Sequence, residues 1–285
     1  MHPALDAAGA GGQARGMTAS LKIASWNINS VRLRIGLVGR FVDEHGPDVL
    51  CLQEIKCETG VFPVQAFRDM GLPHLVIAGQ KGWHGVAIAA RVPLEELPVP
   101  DFCRHGEARA AAARIGGEGG ITIHNLYVPA GGDEPDRAAN PKFDHKLDFV
   151  ARMDAHYASA DTSRMVVTGD LNIAPGEHDV WSHRDLLNVV SHTPVETTAL
   201  EALRQRGRFA DLARVGRPAT EKLYSWWSYR SADWTRNDRG RRLDHIWAGE
   251  ALAPGFDPAS FQIVRDARSW EKPSDHVPVI ARLPV

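Results

Sequence analysis

The segment Val166-Val167-Thr168-Gly169-Asp170-Leu171-Asn172 is an apolar run that ends in an acid and an amide. Its apolar start is typical of a buried β-strand. Asp170 and Asn172 are two residues apart, so their side chains share one face of an extended chain. Burying an unpaired carboxylate is costly, whereas ligand sites form at the rim of a sheet. The segment therefore predicts a functional site at a strand end.

Other polar side chains also stand at the ends or starts of apolar runs. They are Asn27, Asn29, Glu54, Asp244, Asp275 and His276. Each has an ordinary alternative: a strand-end Glu can cap a loop, Asp-His and Gly-Asp-x-Asn suit turns, and Asp244 could pair with a flanking arginine. Taken together, three acids, two amides and a histidine predict a site for a hard cation beside a general acid or base. Mg²⁺ prefers such oxygen ligands.

Known catalytic motifs of other enzyme classes are absent from the sequence. It contains no HExxH motif and no CxxC pair, which gives a zinc site little support. It also lacks a Walker A loop and a Gly-x-Ser-x-Gly motif, so nucleotide triphosphate hydrolysis and an α/β-hydrolase are not indicated. A metal, an Asp base and a His held by a second Asp are instead the parts that phosphodiester hydrolysis needs.

Length and composition are those of a globular protein of one or two domains. The chain has 285 residues, of which 44% are hydrophobic and 24% charged, and it has no apolar run long enough to span a membrane. Three cysteines suit a reducing cytoplasm, and Cys51, in an apolar run, is expected to be a buried, inert thiol. The Ala/Gly-rich residues 1–19 are interpreted as a disordered tail, with Met17 as a possible true start, and residues 20–285 as a single domain.

Short strand-like runs alternate with helical patterns from Leu21 onward. Helices are expected from the stripe beginning at Val31 to His45, from Pro141 to about Tyr157, and over Val195–Arg206. A glycine-rich stretch at 116–120 predicts a hairpin. Mixed sheets flanked by helices, as one large domain of two stacked sheets, are the predicted result. The predicted strands are Leu21–Trp26, Asp48–Leu52, His74–Ala78, Val86–Ala90, Ile121–Leu126, Met165–Thr168, Leu243–Trp247 and Val277–Leu283.

Charge is distributed unevenly along the chain. The 33 Lys and Arg and 35 Asp and Glu give a net charge of −2, which by itself argues against a protein that grips a polyanion over its whole surface. Residues 204–242 nevertheless hold eleven Lys and Arg against four acids, a net charge of +7 that leaves −9 for the rest. Aromatic residues crowd 224–229. This segment predicts a DNA-facing surface, with a solvated Arg-rich surface as the alternative.

Five ordered motifs resemble the bacterial exonuclease III type of abasic-site endonuclease, in the endonuclease/exonuclease/phosphatase superfamily. They are Ser25–Arg32, Pro47–Lys56, Gly79–Ala87, Gly169–Pro175 and Glu271–Val279. The resemblance implies a DNase I-like four-layer α/β sandwich, in which two mixed β-sheets pack face to face between helices. It also implies a monomeric, Mg²⁺-dependent DNA repair nuclease in which Mn²⁺ can substitute. Such an enzyme cleaves 5′ to abasic sites in duplex DNA, leaves a 3′-OH, and works on blocked 3′ ends and as a 3′→5′ exonuclease in the bacterial cytoplasm, at the nucleoid.

The resemblance also implies roles for the catalytic residues. Asp170 looks like the residue that activates the attacking water, and Asn172 like its orienting neighbour. His276 resembles a phosphate-contacting imidazole whose tautomer and charge Asp244 fixes. Tyr127 is similar to a phosphate-side tyrosine, although packing alone would explain it.

The same resemblance implies which residues contact the metal and the DNA. Glu54 resembles the principal Mg²⁺ ligand with Asn27 beside it, and Asp275 a carboxylate near the metal. Trp226 and Leu243 resemble walls of a pocket for an extruded baseless sugar. Arg241 stands where relatives commonly have an apolar or aromatic residue. Lys81 and His84 lie in a Gly-flanked loop that either touches the DNA backbone or is a plain turn.

Two other functions remain open from the sequence. One is a different superfamily enzyme, such as a phosphatase of phosphoinositides or sphingolipids or a nonspecific nuclease. The other is a DNA-binding module without catalysis. Both are less consistent with the combination of the exonuclease III-like motifs and the acid, amide and histidine set.

Overall fold

The computed structural model of the protein describes residues 20–231 and 233–284. The predicted tail of residues 1–19 lies outside the described residues. The helices are α1 (Ile35–His45), α2 (Val64–Asp69), α3 (Pro141–Ser159), α4 (His183–Leu186), α5 (Pro194–Arg206) and α6 (Trp234–Asn237). The strands are β1 (Ser20–Asn27), β2 (Val49–Gln53), β3 (His74–Ala78), β4 (Val86–Ala90), β5 (Glu95–Leu97), β6 (Ala110–Ile115), β7 (Ile121–Tyr127), β8 (Met165–Asp170), β9 (Ala210–Asp211), β10 (Asp244–Ala248), β11 (Gln262–Ile263) and β12 (Val279–Pro284).

The strands form two six-stranded mixed sheets. The first has the order β11-β12-β1-β2-β4-β3 and the second β5-β6-β7-β8-β10-β9. Each contains one parallel pair, β1 with β2 and β7 with β8, among antiparallel neighbours. A helix provides the crossover in both cases, α1 in the first sheet and α3 in the second, as parallel pairing requires.

Side-chain alternation builds a layer on each side of each sheet. Ile23 on β1 packs in one core with Ile123 and Ile246 of the other sheet, so the two sheets meet face to face. The next residue, Ala24, points the opposite way and packs with α1. The second sheet is covered on its outer face by α3 and α5. The predicted four-layer α/β sandwich is confirmed.

The expected helix boundaries have local causes. The first helix ends at Gly46, whose φ of 51° is left-handed, and Pro47 follows it. The helix α3 starts with Pro141 after the Asn140 cap. The helix α5 starts with a capping box in which Thr193 and Glu196 bond each other's backbone.

The hairpin predicted at residues 116–120 is confirmed, because it joins β6 to β7 as an antiparallel pair. The strand β6 is an alanine-rich run, Ala110–Ile115, and alanine has low strand propensity, so pairing with β7 stabilises it. The strand β8 continues to Asp170, two residues beyond the prediction, because that residue pairs with Asp244 of β10.

No helix of the described residues is long and apolar enough to cross a membrane.

Candidate active site

The polar strand ends of both sheets meet at one edge of the sandwich. Asn27 ends β1 in the first sheet, and Asp170 ends β8 in the second. The Asn27 Nδ2 amide joins the sheets, because it lies 2.9 Å from both Glu54 Oε1 and Asp170 Oδ2. The Asn27 side chain is fully buried, and its Oδ1 accepts the backbone N–H of Asn29. In this arrangement Asn27 is a donor to two carboxylates.

Glu54 directly follows β2 and has a positive φ of 50°, which turns the chain at the edge of the sheet. Its Oε1 accepts the Tyr127 hydroxyl at 2.8 Å, and its Oε2 lies 2.9 Å from Lys56 Nζ. Burial alone would raise the pKa of Glu54, but hydrogen bonds from Asn27, Lys56 and Tyr127 and the charge of Lys56 bring it below its ordinary value. Glu54 is therefore held as a carboxylate.

Asp170 is almost completely buried and is held by amide groups. The backbone N–H of Asn172 donates to Asp170 Oδ1 at 2.9 Å, and Asn172 Nδ2 lies 3.2 Å from Oδ2. The φ of Asn172 is 53°, in the left-handed region that Asn tolerates, and this turn brings its amide back over the acid. Burial raises the pKa of Asp170, as do the nearby charges of Asp244 and Glu54, although His276 opposes the shift.

His276 lies between two carboxylates. Its Nδ1 is 2.8 Å from Asp244 Oδ2, and its Nε2 is 3.6 Å from Asp170 Oδ2. Burial alone would lower the pKa of His276, but Asp244 and Asp170 raise it well above its ordinary value. Ser225 Oγ also donates to Asp244 Oδ2, at 2.6 Å.

The alternative partner of Asp244, a flanking arginine, is not the one observed. Arg242 is fully buried and forms ion pairs with Asp179 and Asp211 instead. Asp244 is free to hold the His276 imidazole because Asp179 and Asp211 already pair with the Arg242 guanidinium.

Oxygen donors suited to a hard cation surround this edge. Glu54 lies on one side, and the ligand atoms of Asp170, Asp244 and His276 all lie within 4.8 Å of one another. Asp244 Oδ1 is buried, and within the described part of the chain it has no hydrogen-bond partner. These residues fit a divalent metal ion that takes one or two protein carboxylates.

Asp275, the other predicted metal neighbour, makes direct protein contacts here. Its Oδ2 accepts the Trp226 indole N–H at 3.0 Å, and its Oδ1 is 3.3 Å from Asn29 Nδ2. Asp275 therefore positions the aromatic wall of the site as well as bordering the place where a metal could bind.

The predicted sugar pocket shares one cavity of about 250 Å³ with the acids. Trp226, Arg241 and Leu243 line it together with Asp170 and His276. Arg241 Nη1 donates to the Val190 carbonyl at 3.0 Å and to Ser191 Oγ at 2.7 Å, with its guanidinium carbon 5.3 Å from the centre of the Trp226 ring. The charged Arg241 side chain, held by these hydrogen bonds, therefore occupies part of the cavity where relatives commonly have an apolar or aromatic side chain.

The two predicted DNA-backbone contacts in the loop between β3 and β4, Lys81 and His84, lie in different surroundings. His84 borders a second cavity, of about 520 Å³, with Glu54 and Tyr127, and its Nε2 is 3.5 Å from Glu107 Oε1. Lys81 is exposed and does not border the cavity that contains Asp170.

The basic segment offers less free charge than its sequence suggests. Six of its eleven Lys and Arg form ion pairs, and Arg242 is fully buried. The paired residues are Arg204, Arg206, Arg208, Arg214, Arg217 and Arg242. The net charge of +7 therefore overstates the attraction for phosphates at this surface.

Two functional positions escaped the sequence analysis. Ser225 supports Asp244, and its backbone N–H bonds the Arg241 carbonyl. Lys56 pairs with Glu54. Ser225 gave no local signal, because its partner lies 19 residues away. Lys56 ends the motif Pro47–Lys56, which carries the family resemblance, and could have been found there.

Known proteins are similar to this chain over most of its length. The Endonuclease/Exonuclease/phosphatase family matches residues 24–276. Exodeoxyribonuclease III of Haemophilus influenzae is 30% identical over 272 residues, which cover 92% of this chain and 99% of that protein. DNA repair nuclease APEX1 of Danio rerio is 28% identical, with 95% of this chain and 84% of that protein covered.

Solved structures are similar over the same length. An AP endonuclease from Archaeoglobus fulgidus has a TM-score of 0.83 and 33% identity, covering 92% of this chain and 98% of its own. A variant of the 3′ phosphatase NExo from Neisseria, bound to a product DNA hairpin, has a TM-score of 0.82 and 30% identity over the same shares. The chain therefore belongs to the endonuclease/exonuclease/phosphatase family and, within it, to the group of exonuclease III-type AP endonucleases.

Proposed function

We propose that the protein is a metal-dependent DNA repair nuclease that hydrolyses the phosphodiester 5′ to an abasic site in duplex DNA and leaves a 3′-OH. Removal of blocked 3′ ends and 3′→5′ exonuclease activity belong to the same proposal. One observation carries it: a single cavity is lined by Asp170 and His276 on one side and by Trp226 and Leu243 on the other. The relatives' names, which include an AP endonuclease and a 3′ phosphatase, support it.

Glu54, with Asn27 beside it and Asp275 bordering the same cavity, would hold the metal, for which we propose Mg²⁺ with Mn²⁺ as a substitute. A metal ion bound there stabilises negative charge on the phosphate and the leaving oxygen. Lys56 and Tyr127 hold the Glu54 carboxylate in place. Asn27 bonds Glu54 and Asp170 together, so it fixes the distance between the metal-binding carboxylate and the base.

Asp170 is the proposed general base that takes a proton from the attacking water. Its burial raises its pKa, which makes the carboxylate a stronger base than an exposed aspartate. Asn172 donates hydrogen bonds to both carboxylate oxygens of Asp170, which restricts the orientation of that carboxylate.

His276 is the proposed phosphate contact. Because Asp244 holds its Nδ1, its Nε2 is the nitrogen that can reach a substrate. The two flanking carboxylates favour the protonated imidazole, whose positive charge suits a phosphate oxygen. Tyr127 is the second proposed contact on the phosphate side.

Substrate choice would come from the aromatic and basic wall. An extruded nucleotide without a base can enter a slot that a normal base cannot. Trp226 and Leu243 supply the apolar part of that slot, and Arg241 narrows it. We propose that the protein acts as a monomer on duplex DNA and, given that substrate, works at the nucleoid in the bacterial cytoplasm.

The test uses an end-labelled duplex with one abasic analogue, the matched undamaged duplex, a duplex with a 3′-phosphate end, and a soluble inositol phosphate. We expect EDTA-sensitive cleavage of the abasic duplex. Asp170→Asn should lower turnover by several orders of magnitude while DNA affinity stays near that of the wild type. Turnover of the inositol phosphate in place of DNA would refute the assignment, as would wild-type turnover by Asp170→Asn.

A further inference from the structure

A second cluster of metal-binding side chains lies outside the proposed active site. Cys103 and Glu107 come from the connection between β5 and β6, and His145 comes from α3. Cys103 Sγ is 3.3 Å from His145 Nε2 and 3.9 Å from Glu107 Oε2. All three ligand atoms lie within 4.8 Å of one another. The tertiary fold brings these three side chains together, so no sequence motif predicts the cluster.

These distances match a tetrahedral zinc site. With Zn–S near 2.3 Å and Zn–N near 2.05 Å, sulfur and nitrogen ligands of one ion lie about 3.6 Å apart, and sulfur and oxygen are about equally far apart. The observed separations of 3.3 and 3.9 Å lie on either side of that value. A thiol–imidazole hydrogen bond explains the first contact, and Arg109 and His84 hold Glu107. The zinc interpretation therefore depends on all three donor atoms lying within 4.8 Å of one another.

The donor types set this cluster apart from the active site. A thiolate and an imidazole favour Zn²⁺ and similar transition metals, whereas Mg²⁺ prefers oxygen. Cys103 and His145 are buried, and the Glu107 side chain is 24% exposed. Arg109 also bonds Glu107, which fixes the carboxylate in the way that outer partners orient metal ligands.

Access to the cluster exists from two sides. Glu107 and His145 border the cavity of about 520 Å³, which Glu54 also borders from the active-site side, and Cys103 and Glu107 border another of about 190 Å³. His105 is exposed, and its ring centre lies 4.3 Å from that of His145, but its nitrogens are not among the ligand atoms that lie within 4.8 Å of one another. Water is therefore the ligand that the fourth tetrahedral position can take.

We propose that Cys103, Glu107 and His145 form a binding site for one zinc ion, separate from the hard-metal site at Glu54. Binding replaces the thiol proton of Cys103, which is released to solvent, and closes the connection between β5 and β6 onto α3. The proposal does not depend on the nuclease function, because none of the three residues contacts Asp170 or His276 in the described part of the chain.

The test titrates the full-length protein with Co²⁺ as a spectroscopic probe, in saturating Mg²⁺ to occupy the hard-metal site. We expect one thiolate-to-cobalt charge-transfer band, which stoichiometric Zn²⁺ abolishes. Cys103→Ala should lose the band, and His145→Gln and Glu107→Gln should each weaken Zn²⁺ binding at least tenfold. Cys57→Ala, which removes another buried thiol, should keep the band.

The wild-type spectrum decides the matter even if Cys103→Ala does not fold. A wild-type protein that binds Co²⁺ without a thiolate band would overturn the proposal. So would a band that persists in Cys103→Ala, or one that is lost in Cys57→Ala.

Discussion

Lys146→Met tests how the loop after β8 is held in place. Lys146 on α3 and Glu196 on α5 form an ion pair at 2.5 Å, and both side chains are fully buried. Lys146 Nζ also donates to the carbonyl of Asn172 at 2.7 Å. The substitution keeps the side-chain volume but leaves Glu196 without its cation and Asn172 without this hydrogen bond.

The contacts of Lys146 give the expected loss of stability. Removing one member of a buried ion pair costs about 3–5 kcal/mol because the other charge stays buried. Glu196 keeps hydrogen bonds from the backbone of Ser191 and Thr193, which favours the low end. The lost bond to the Asn172 carbonyl adds about 1 kcal/mol. We therefore expect a loss of about 4 kcal/mol, or a fall in Tm of about 8–16 °C for a domain of this size.

The assay is urea unfolding with thermal unfolding as a second measurement. Lys142→Met on the same helix is the matched control, because Lys142 is exposed and its replacement should change stability by less than about 0.5 kcal/mol. The double variant Lys146→Met/Glu196→Gln should recover a large part of the loss, since no charge is then left buried. Equal stability of the two single variants, or no recovery in the double variant, would refute the reasoning.

The remaining predictions concern the metal, the pocket and acid stability. Glu54→Ala should raise the half-maximal Mg²⁺ concentration for cleavage at least tenfold, and an unchanged titration would reject Glu54 as a ligand. Trp226→Ala should reduce the preference for abasic over undamaged duplex more than it reduces duplex affinity; equal losses measured by kinetics and binding would argue against the pocket. Asp179, whose pKa falls to about 2 because Arg242 and Arg214 outweigh the effect of burial, should stabilise the fold by about 2 kcal/mol above pH 4, and this should be lost as the pH falls toward 2. Urea unfolding between pH 4 and pH 2 should show that the free energy of unfolding of the wild type falls with pH. The same pH dependence in Asp179→Asn would show that Asp179 is not its source.

Much of the fold was predictable because its signals are local. The strands His74–Ala78 and Val86–Ala90 were predicted at their observed bounds, since each is a short apolar run between breakers. The two-residue strands β9 and β11 were not, because pairing with neighbouring strands, rather than propensity, makes them strands.

The candidate site was predictable in its members but not in its contacts. Polar residues at strand ends indicated Glu54, Asp170 and His276, because ligand sites form at the rim of a sheet. The choice of partner for Asp244 was open, because a flanking arginine and a distant histidine are equally good in sequence. The antiparallel pairing of β8 with β10 decided it, by placing Asp244 opposite Asp170.

The alternation of buried runs and polar ends can be read from the sequence, because it depends on neighbours along the chain, and it is enough to predict a layered fold with a polar edge. Which charges remain free depends instead on the tertiary structure. Arg242, counted as part of a DNA-facing surface, is buried between Asp179 and Asp211, while Cys103, Glu107 and His145, unremarkable in sequence, lie together. The physical reason is that a charge or a ligand atom acts through distance in space, and that distance is set by how the sheets and helices pack.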